Sequence, residues 1–212
     1  MGLQLDNYSF PEAIKIIDSF LTDTALSTVL SVNMEKLLCA GEDPVVKDVL
    51  SSADYTVITD KAIPESASEG GAERIFEVEQ GAFLTAFLNH MYHTDRTFYL
   101  VAGSKADLLQ MRRAMTEAFS YVRILGESVI TNDLHESENC VNAINILVPD
   151  VILSSLDSPD EERFLNRYRS QLCARIWYGA GKEPMLEKEG FGIIRAIRRK
   201  IHKMMFRSRL HY

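Results

Sequence analysis

Two stretches, Thr28-Val-Leu-Ser-Val-Asn33 and Tyr55-Thr-Val-Ile-Thr-Asp60, decide the fold. Each is a short β-branched run closed by polar residues, and helix-forming sequence lies between them. Runs of this length, bounded in this way, read as neighbouring parallel strands. In an open α/β sheet the ligand crevice lies beyond the carboxyl ends of the strands. That rule puts Ser31, Asn33 and Asp60 at one lip, with Asp60 the best-placed acid. A carboxylate there can take a proton from a hydroxyl nucleophile. The same residue can equally close an Asx turn or cap a helix.

The rest of the chain repeats the alternation. Phe10 to Leu21 carries apolar residues at helical spacing after Ser9, with Pro11 in its first turn. Met34 to Ala40 reads as a helix ended by Gly41, and Asp43-Pro44 opens another through Leu50. Lys61 to Gly71 is rich in turn formers and reads as a mobile loop beyond Asp60. A helix over Gln80–His93 precedes the strand Thr97–Ala102, and Gly103-Ser104 leads into a helix over Lys105–Phe119. Glycine at such a turn admits a ligand to the backbone, and the helix start favours an anion. Tyr121–Leu125 reads as a strand ended by Gly126, followed by a helix over Glu136–Ile146 and a strand over Pro149–Ser154. In Asp157-Ser-Pro-Asp-Glu-Glu162, Ser158 is the expected N-cap, Pro159 the first helical residue and Glu161 the capping-box acid. Cys173 to Tyr178 reads as the last strand, with Trp177-Tyr178 in the core. The expected architecture is α/β: a three-layer, mostly parallel, Rossmann-like sheet with helices on both faces.

Charge divides the chain in two. Phe191–Tyr212 holds seven basic residues and no acid, so with a net charge of −7 the first 190 residues carry −14. Gly190 to Phe206 places Ile194, Ile197, Ile201, Met204 and Met205 along one helical face, with Arg195, Arg198, Arg199 and Lys203 mainly elsewhere. A basic amphipathic helix of this kind lies on anionic membranes, although packing on the body or an oligomer contact fits the same pattern. The acidic body argues against nucleic acid as a partner. The expected domains are an α/β body over 1–182 and a basic appendage over 183–212.

No apolar stretch approaches the ~20 residues that span a bilayer, and the first residues lack the features of a signal peptide. A cytosolic protein is expected. The three cysteines, Cys39, Cys140 and Cys173, form no C-x-x-C pair and read as buried thiols. His90 and His93 lie three apart with no third ligand evident, so no metal is expected.

Several segments, in order, resemble the bacterial WecG/TagA/CpsF glycosyltransferases. Leu5-Asp-Asn-Tyr-Ser-Phe-Pro-Glu-Ala13 is similar to their opening strand and helix, and Ser31-Val-Asn33 to their Thr-x-Asn segment. Ser52–Asp60 resembles the stretch that ends in their Asp-Gly, and Phe98–Gly103 their central strand and glycine turn. Val148–Leu153 and Ser158-Pro159 resemble their Pro-Asp-Ile-Leu strand and Gly-x-Pro-x-Gln-Glu turn, and Ala180-Gly-Lys182 the close of the core.

The resemblance implies an inverting, metal-independent transfer of an N-acetylhexosamine, often N-acetylmannosamine. The donor would be a UDP-sugar and the acceptor a polyprenyl-diphosphate-linked sugar, for teichoic acid, common antigen or capsule. It gives Asp60 the role of base, with Ser31 and Asn33 lining the sugar pocket. Gly103, Ser158 and Glu161 fall on the nucleotide side. The appendage would dock on the inner face of the cell membrane, with Arg195, Arg198 and Arg199 at the acceptor diphosphate. Three positions depart from the pattern: Lys61 replaces the Gly after Asp, and Asp157 and Glu161 replace Gly and Gln in the later turn. These changes motivate the alternative of a catalytically degenerate binding or scaffold protein of the same fold.

Overall fold

A computed structural model describes residues 3–6, 10–67, 78, 81–131 and 133–181. The appendage over 183–212, with Arg195, Arg198 and Arg199, and residues 68–71 of the expected loop lie outside the described residues.

In chain order the elements are α1 (Phe10–Thr22), β1 (Ser27–Val32), α2 (Met34–Glu42), α3 (Pro44–Ser51), β2 (Tyr55–Ile58), α4 (Ala62–Ala67), α5 (Ala82–His93), β3 (Thr97–Ala102), α6 (Lys105–Ala118), β4 (Arg123–Val129), α7 (Leu134–Leu147), β5 (Val151–Ser154), α8 (Asp160–Tyr168) and β6 (Ile176–Gly179). A short 3₁₀ turn, Arg169–Gln171, follows α8. The six strands form one sheet in the order β2-β1-β6-β5-β3-β4, and every pairing is parallel.

The strand order explains the layers. A parallel crossover is right-handed, so connections running in opposite directions across the sheet place their helices on opposite faces. The steps β1 to β2, β4 to β5 and β5 to β6 run one way, and α2, α3, α7 and α8 pack on one face. The steps β2 to β3 and β3 to β4 run the other way, and α5 and α6 pack with α1 on the second face. Alternation along each strand feeds both cores. Val29, Tyr55, Phe98, Leu100, Leu153 and Tyr178 face α1, α5 and α6. Leu30, Val32, Tyr99, Val101, Ile152 and Trp177 face α2, α3, α7 and α8.

Aspartate–threonine contacts fix the amino ends and one edge of the sheet. Asp54 Oδ2 accepts from the N–H and hydroxyl of Thr28, and Asp150 Oδ2 accepts likewise from Thr97. Asp6 Oδ2 does the same for Thr56 on β2, giving the edge strand's N–H a carboxylate partner. Edge strands protected in this way resist adding a further strand.

Some boundaries differ from expectation. Gly126 does not end β4, which continues to Val129. A Cβ at Gly126 would lie 2.6 Å from the Tyr99 ring and 2.9 Å from Leu147 Cδ1, so glycine serves close packing inside the strand. Six residues of the loop expected after Asp60 form α4. Cys140 alone among the three thiols is buried, and Cys173 is exposed. Burial pushes the Cys140 thiol up to about 11.

Candidate functional site at the carboxyl lip

All six strands end on one side, and the lip they form carries the candidate residues. Asp60 stands two residues beyond β2, half-buried. Its Oδ2 accepts from Met34 N–H at 3.3 Å and its Oδ1 from Ala62 N–H at 3.0 Å. The carboxylate is thus held between the first turns of α2 and α4. An ionised carboxylate has about four acceptor positions, so these two bonds fix its orientation and leave it able to accept a proton.

Asn33 follows β1 directly and caps α2, its Oδ1 accepting from Lys36 N–H at 2.8 Å. Through Met34, the residue after this cap, the loop beyond β1 also holds Asp60. Ser31 is buried within β1 and shares the strand parity of Val29, so it faces the α5 side of the sheet. Only Val32 separates Ser31 from Asn33 in sequence, yet they serve different layers.

Gly103 lies beyond β3, exposed, and Ser104 caps α6 by accepting from Asp107 N–H. β3 exits to α6 on one face, while its neighbour β5 exits to α8 on the other. Adjacent strands that exit to opposite faces open a crevice between them. Gly103 lines that crevice beside Leu156, whose Cδ2 would lie 3.9 Å from a Cβ at position 103. Ser158 follows β5 on the same side.

The turn at 157–162 departs from the capping-box expectation. α8 begins at Asp160, Pro159 holds the cap position without a side-chain bond, and the Ser158-Pro159 peptide is cis. Ser158 Oγ donates to Glu162 Oε2 at 2.7 Å. Glu161 is fully buried below the lip, where it accepts from Lys36 Nζ at 2.9 Å and from Trp177 Nε1 at 3.1 Å. Lys36 Nζ also stands 2.9 Å from Glu162 Oε1. A Cβ at Gly179 would reach to 2.5 Å from Glu161 Oε2, so β6 passes the carboxylate at a distance only glycine permits.

Sequence reasoning missed Lys36, Glu162 and the partnership with Trp177. One signal was present. Glu161 falls on the stripe of Phe164, Leu165 and Tyr168, the buried face of α8, where an acid needs a partner. The identity of that partner, 125 residues away, is a tertiary fact.

One ammonium serves two carboxylates here. Burial pulls the Lys36 ammonium down, but Glu161 and Glu162 together outweigh it and hold it above the ordinary lysine range. Burial pushes Glu161 up, and the adjacent Glu162 charge adds to that push against the pull of Lys36. A group whose folded value is raised contributes stability that is complete below its unfolded value and lost as pH climbs through the folded one. Wild type is therefore expected to lose stability relative to Glu161→Gln as pH rises above 4.5, the ordinary value of that carboxyl. Urea unfolding of both proteins across that range checks the sign, and a pH-independent difference would refute it.

Among the described residues no group of three or more His, Cys, Asp or Glu side chains could hold a metal ion. His90 Nε2 lies 2.7 Å from Asp18 Oδ1 on the surface. No helix among the described residues is long and apolar enough to cross a membrane. A cavity of about 510 Å³ opens at the opposite, amino end of the strands, beside Thr24, Thr28, Ser52 and Arg169, away from the candidate residues.

The family described as "Glycosyl transferase WecG/TagA/CpsF family" matches residues 1–183. No curated protein matches the chain.

Proposed function

The chain belongs to the WecG/TagA/CpsF family, glycosyltransferases of cell-surface polymer synthesis, and from that premise we propose that it moves an N-acetylhexosamine from a UDP-sugar to a polyprenyl-diphosphate-linked sugar with Asp60 as base. The acceptor hydroxyl attacks the anomeric carbon from the face opposite the leaving group. A new C–O bond forms as the bond to the β-phosphate oxygen breaks, and that oxygen keeps the electron pair. The hydroxyl proton passes to Asp60. Configuration at the anomeric carbon inverts.

The observation that carries this reading is the placement of Asp60: a carboxylate at the lip, aimed by two backbone N–H groups. A general base must be oriented before it is useful, and geometry takes precedence over acidity in choosing one. Asp60 and Gly103 end strands four sheet positions apart, about 19 Å at the usual strand spacing. The donor would therefore lie along the lip. Its nucleotide would sit towards the β3–β5 crevice with Gly103 and Ser158, and its sugar towards β1 and β2 with Asn33, while Ser31, turned into the α5 layer, lies behind that pocket. The leaving diphosphate gathers negative charge, and the start of α6 offers backbone N–H groups and a positive dipole end to it. We place the acceptor diphosphate, and the anionic membrane that carries it, at Arg195, Arg198 and Arg199.

Glu161 bears on the alternative of a degenerate, binding-only protein. The acid at 161 is paired with Lys36 and buried, so it does not add bare negative charge to the crevice. UDP release from a series of UDP-N-acetylhexosamines, with a polyprenyl-diphosphate-linked acceptor sugar in vesicles, tests the proposal. Acceptor-dependent release is expected with at least one donor. A folded protein that releases no UDP, and binds no UDP-sugar by calorimetry, supports the binding-only alternative. Flotation with anionic vesicles, comparing wild type with the Arg195, Arg198 and Arg199→Gln variant, tests the membrane role, and equal flotation would remove it.

A further inference from the structure

A fully buried ammonium between two carboxylates joins elements that are far apart in sequence, and all three carry parts of the lip. Lys36 belongs to the first turn of α2 and is about 5% exposed; Glu161 and Glu162 belong to the first turn of α8 and are fully buried. Lys36 Nζ lies 2.9 Å from one oxygen of each carboxylate. Trp177 of β6, the strand between β1 and β5, donates to the other oxygen of Glu161. The cluster also reaches outward at two points. The turn that holds Lys36 presents Met34 N–H to Asp60, and Glu162 accepts from the Ser158 hydroxyl. Arg163 Nη2 adds an exposed tie to Asp43, the residue between α2 and α3.

Charge balance alone does not explain this cluster. One lysine facing one carboxylate would be balanced, and here Glu162 Oε1 makes no well-directed hydrogen bond despite its burial. A buried ionic group in such a setting is expected to specify geometry more than to add stability. We propose that Lys36 is a positioning residue that fastens the first turn of α2 to the first turn of α8, holding Asp60 and Ser158 in one frame across β1, β6 and β5. The consequence of this fastening for catalysis rests on the reading of Asp60 as the base.

The test separates fastening from charge balance. In the variant Lys36→Met, Glu161→Gln, Glu162→Gln the cluster is uncharged, so folding is retained, but the ionic bridge is gone. Hydrogen exchange is read at Leu37, whose N–H donates to Asn33 O, and at Arg163, whose N–H donates to Pro159 O. Neither residue is substituted. Exchange at both amides is expected to quicken by roughly tenfold or more while the central strands stay protected. Unchanged exchange at both amides would overturn the proposal. This measurement needs no substrate, so it stands whether or not a donor is found. Where the protein turns over, kcat is expected to fall with the donor KM changed much less, and full kcat in this variant would overturn the catalytic consequence. Glu161→Gln, which leaves one cation facing one carboxylate, keeps the test available if the triple variant does not fold. It is expected to quicken exchange at Leu37 and Arg163 by a smaller factor, and no change at either amide would again overturn the proposal.

Discussion

Asp60→Asn is expected to slow acceptor-dependent UDP release by about 10²–10⁴-fold, the usual contribution of a positioned base. The substitution keeps the shape and one carbonyl oxygen, which can still accept from Ala62 or Met34 N–H. It replaces the other oxygen with an NH₂ group that faces a second N–H donor. Because Asp60 is only half-buried, water can compensate the mismatched donor, and the cost to folding should be about 1 kcal/mol. Proton removal matters in the transition state and not in donor binding, so the donor KM should change little while kcat falls. Steady-state kinetics with thermal unfolding on the same preparation separates the two effects. Full turnover by Asp60→Asn would remove Asp60 as the base without disturbing the family assignment, which rests on the match over residues 1–183.

The fold was legible because its signals are local. The β-branched runs over 28–33 and 55–60, the helical spacing over 10–21 and the Gly103-Ser104 turn each mark an element without reference to the rest of the chain. Boundaries failed where tertiary packing overrode a local rule. Gly126 reads as a stop, but the Tyr99 ring needs the space that a side chain there would fill. Ser158 and Glu161 read as a capping box, and would form one on an isolated helix. In the folded protein Glu161 faces the sheet, where Lys36 and Trp177 provide the stronger partners, and the hydroxyl of Ser158 goes to Glu162 instead.

The lip was legible to the same extent. Strand ends could be found from the sequence, so Asp60, Asn33 and Gly103 could be placed on one side of a parallel sheet. Which of them share a face could not be found so directly. Ser31 and Asn33 look like neighbours in one pocket, but the strand pleat turns Ser31 to the α5 layer, while Asn33, just past the strand, caps α2 in the other. The order of β5 and β6 between β1 and β3 sets the distance from Asp60 to Gly103, and it depends on crossover lengths and faces together.

Lys36→Met is expected to be strongly destabilising although it removes no packing volume. Methionine nearly matches the aliphatic stem of lysine, so packing volume is conserved and the effect reports charge. Its loss leaves Glu161 and Glu162 buried, adjacent and without their cation. Breaking a buried ion pair on one side costs about 3–5 kcal/mol, a large share of the roughly 5–15 kcal/mol that holds a domain of ordinary stability together. For a body of this size each kcal/mol moves the melting temperature by about 2–4 °C, so a fall of roughly 10 °C is expected near neutral pH. The pH dependence identifies the cause. Lys36 is held above its ordinary value of 10.5, so the stability it contributes is present throughout the range below that value and does not itself vary near neutrality. In Lys36→Met the Glu161 carboxyl, already pushed up by burial and by the Glu162 charge, loses the opposing pull of the ammonium. The deficit should therefore shrink as pH falls towards 4.5, the ordinary value of that carboxyl, and widen as pH rises above it. Adding Glu161→Gln to Lys36→Met removes one of the two stranded charges and should recover part of the loss. A deficit that ignores pH and is not relieved by Glu161→Gln would mean that the stem of Lys36, and not its charge, is what the fold requires.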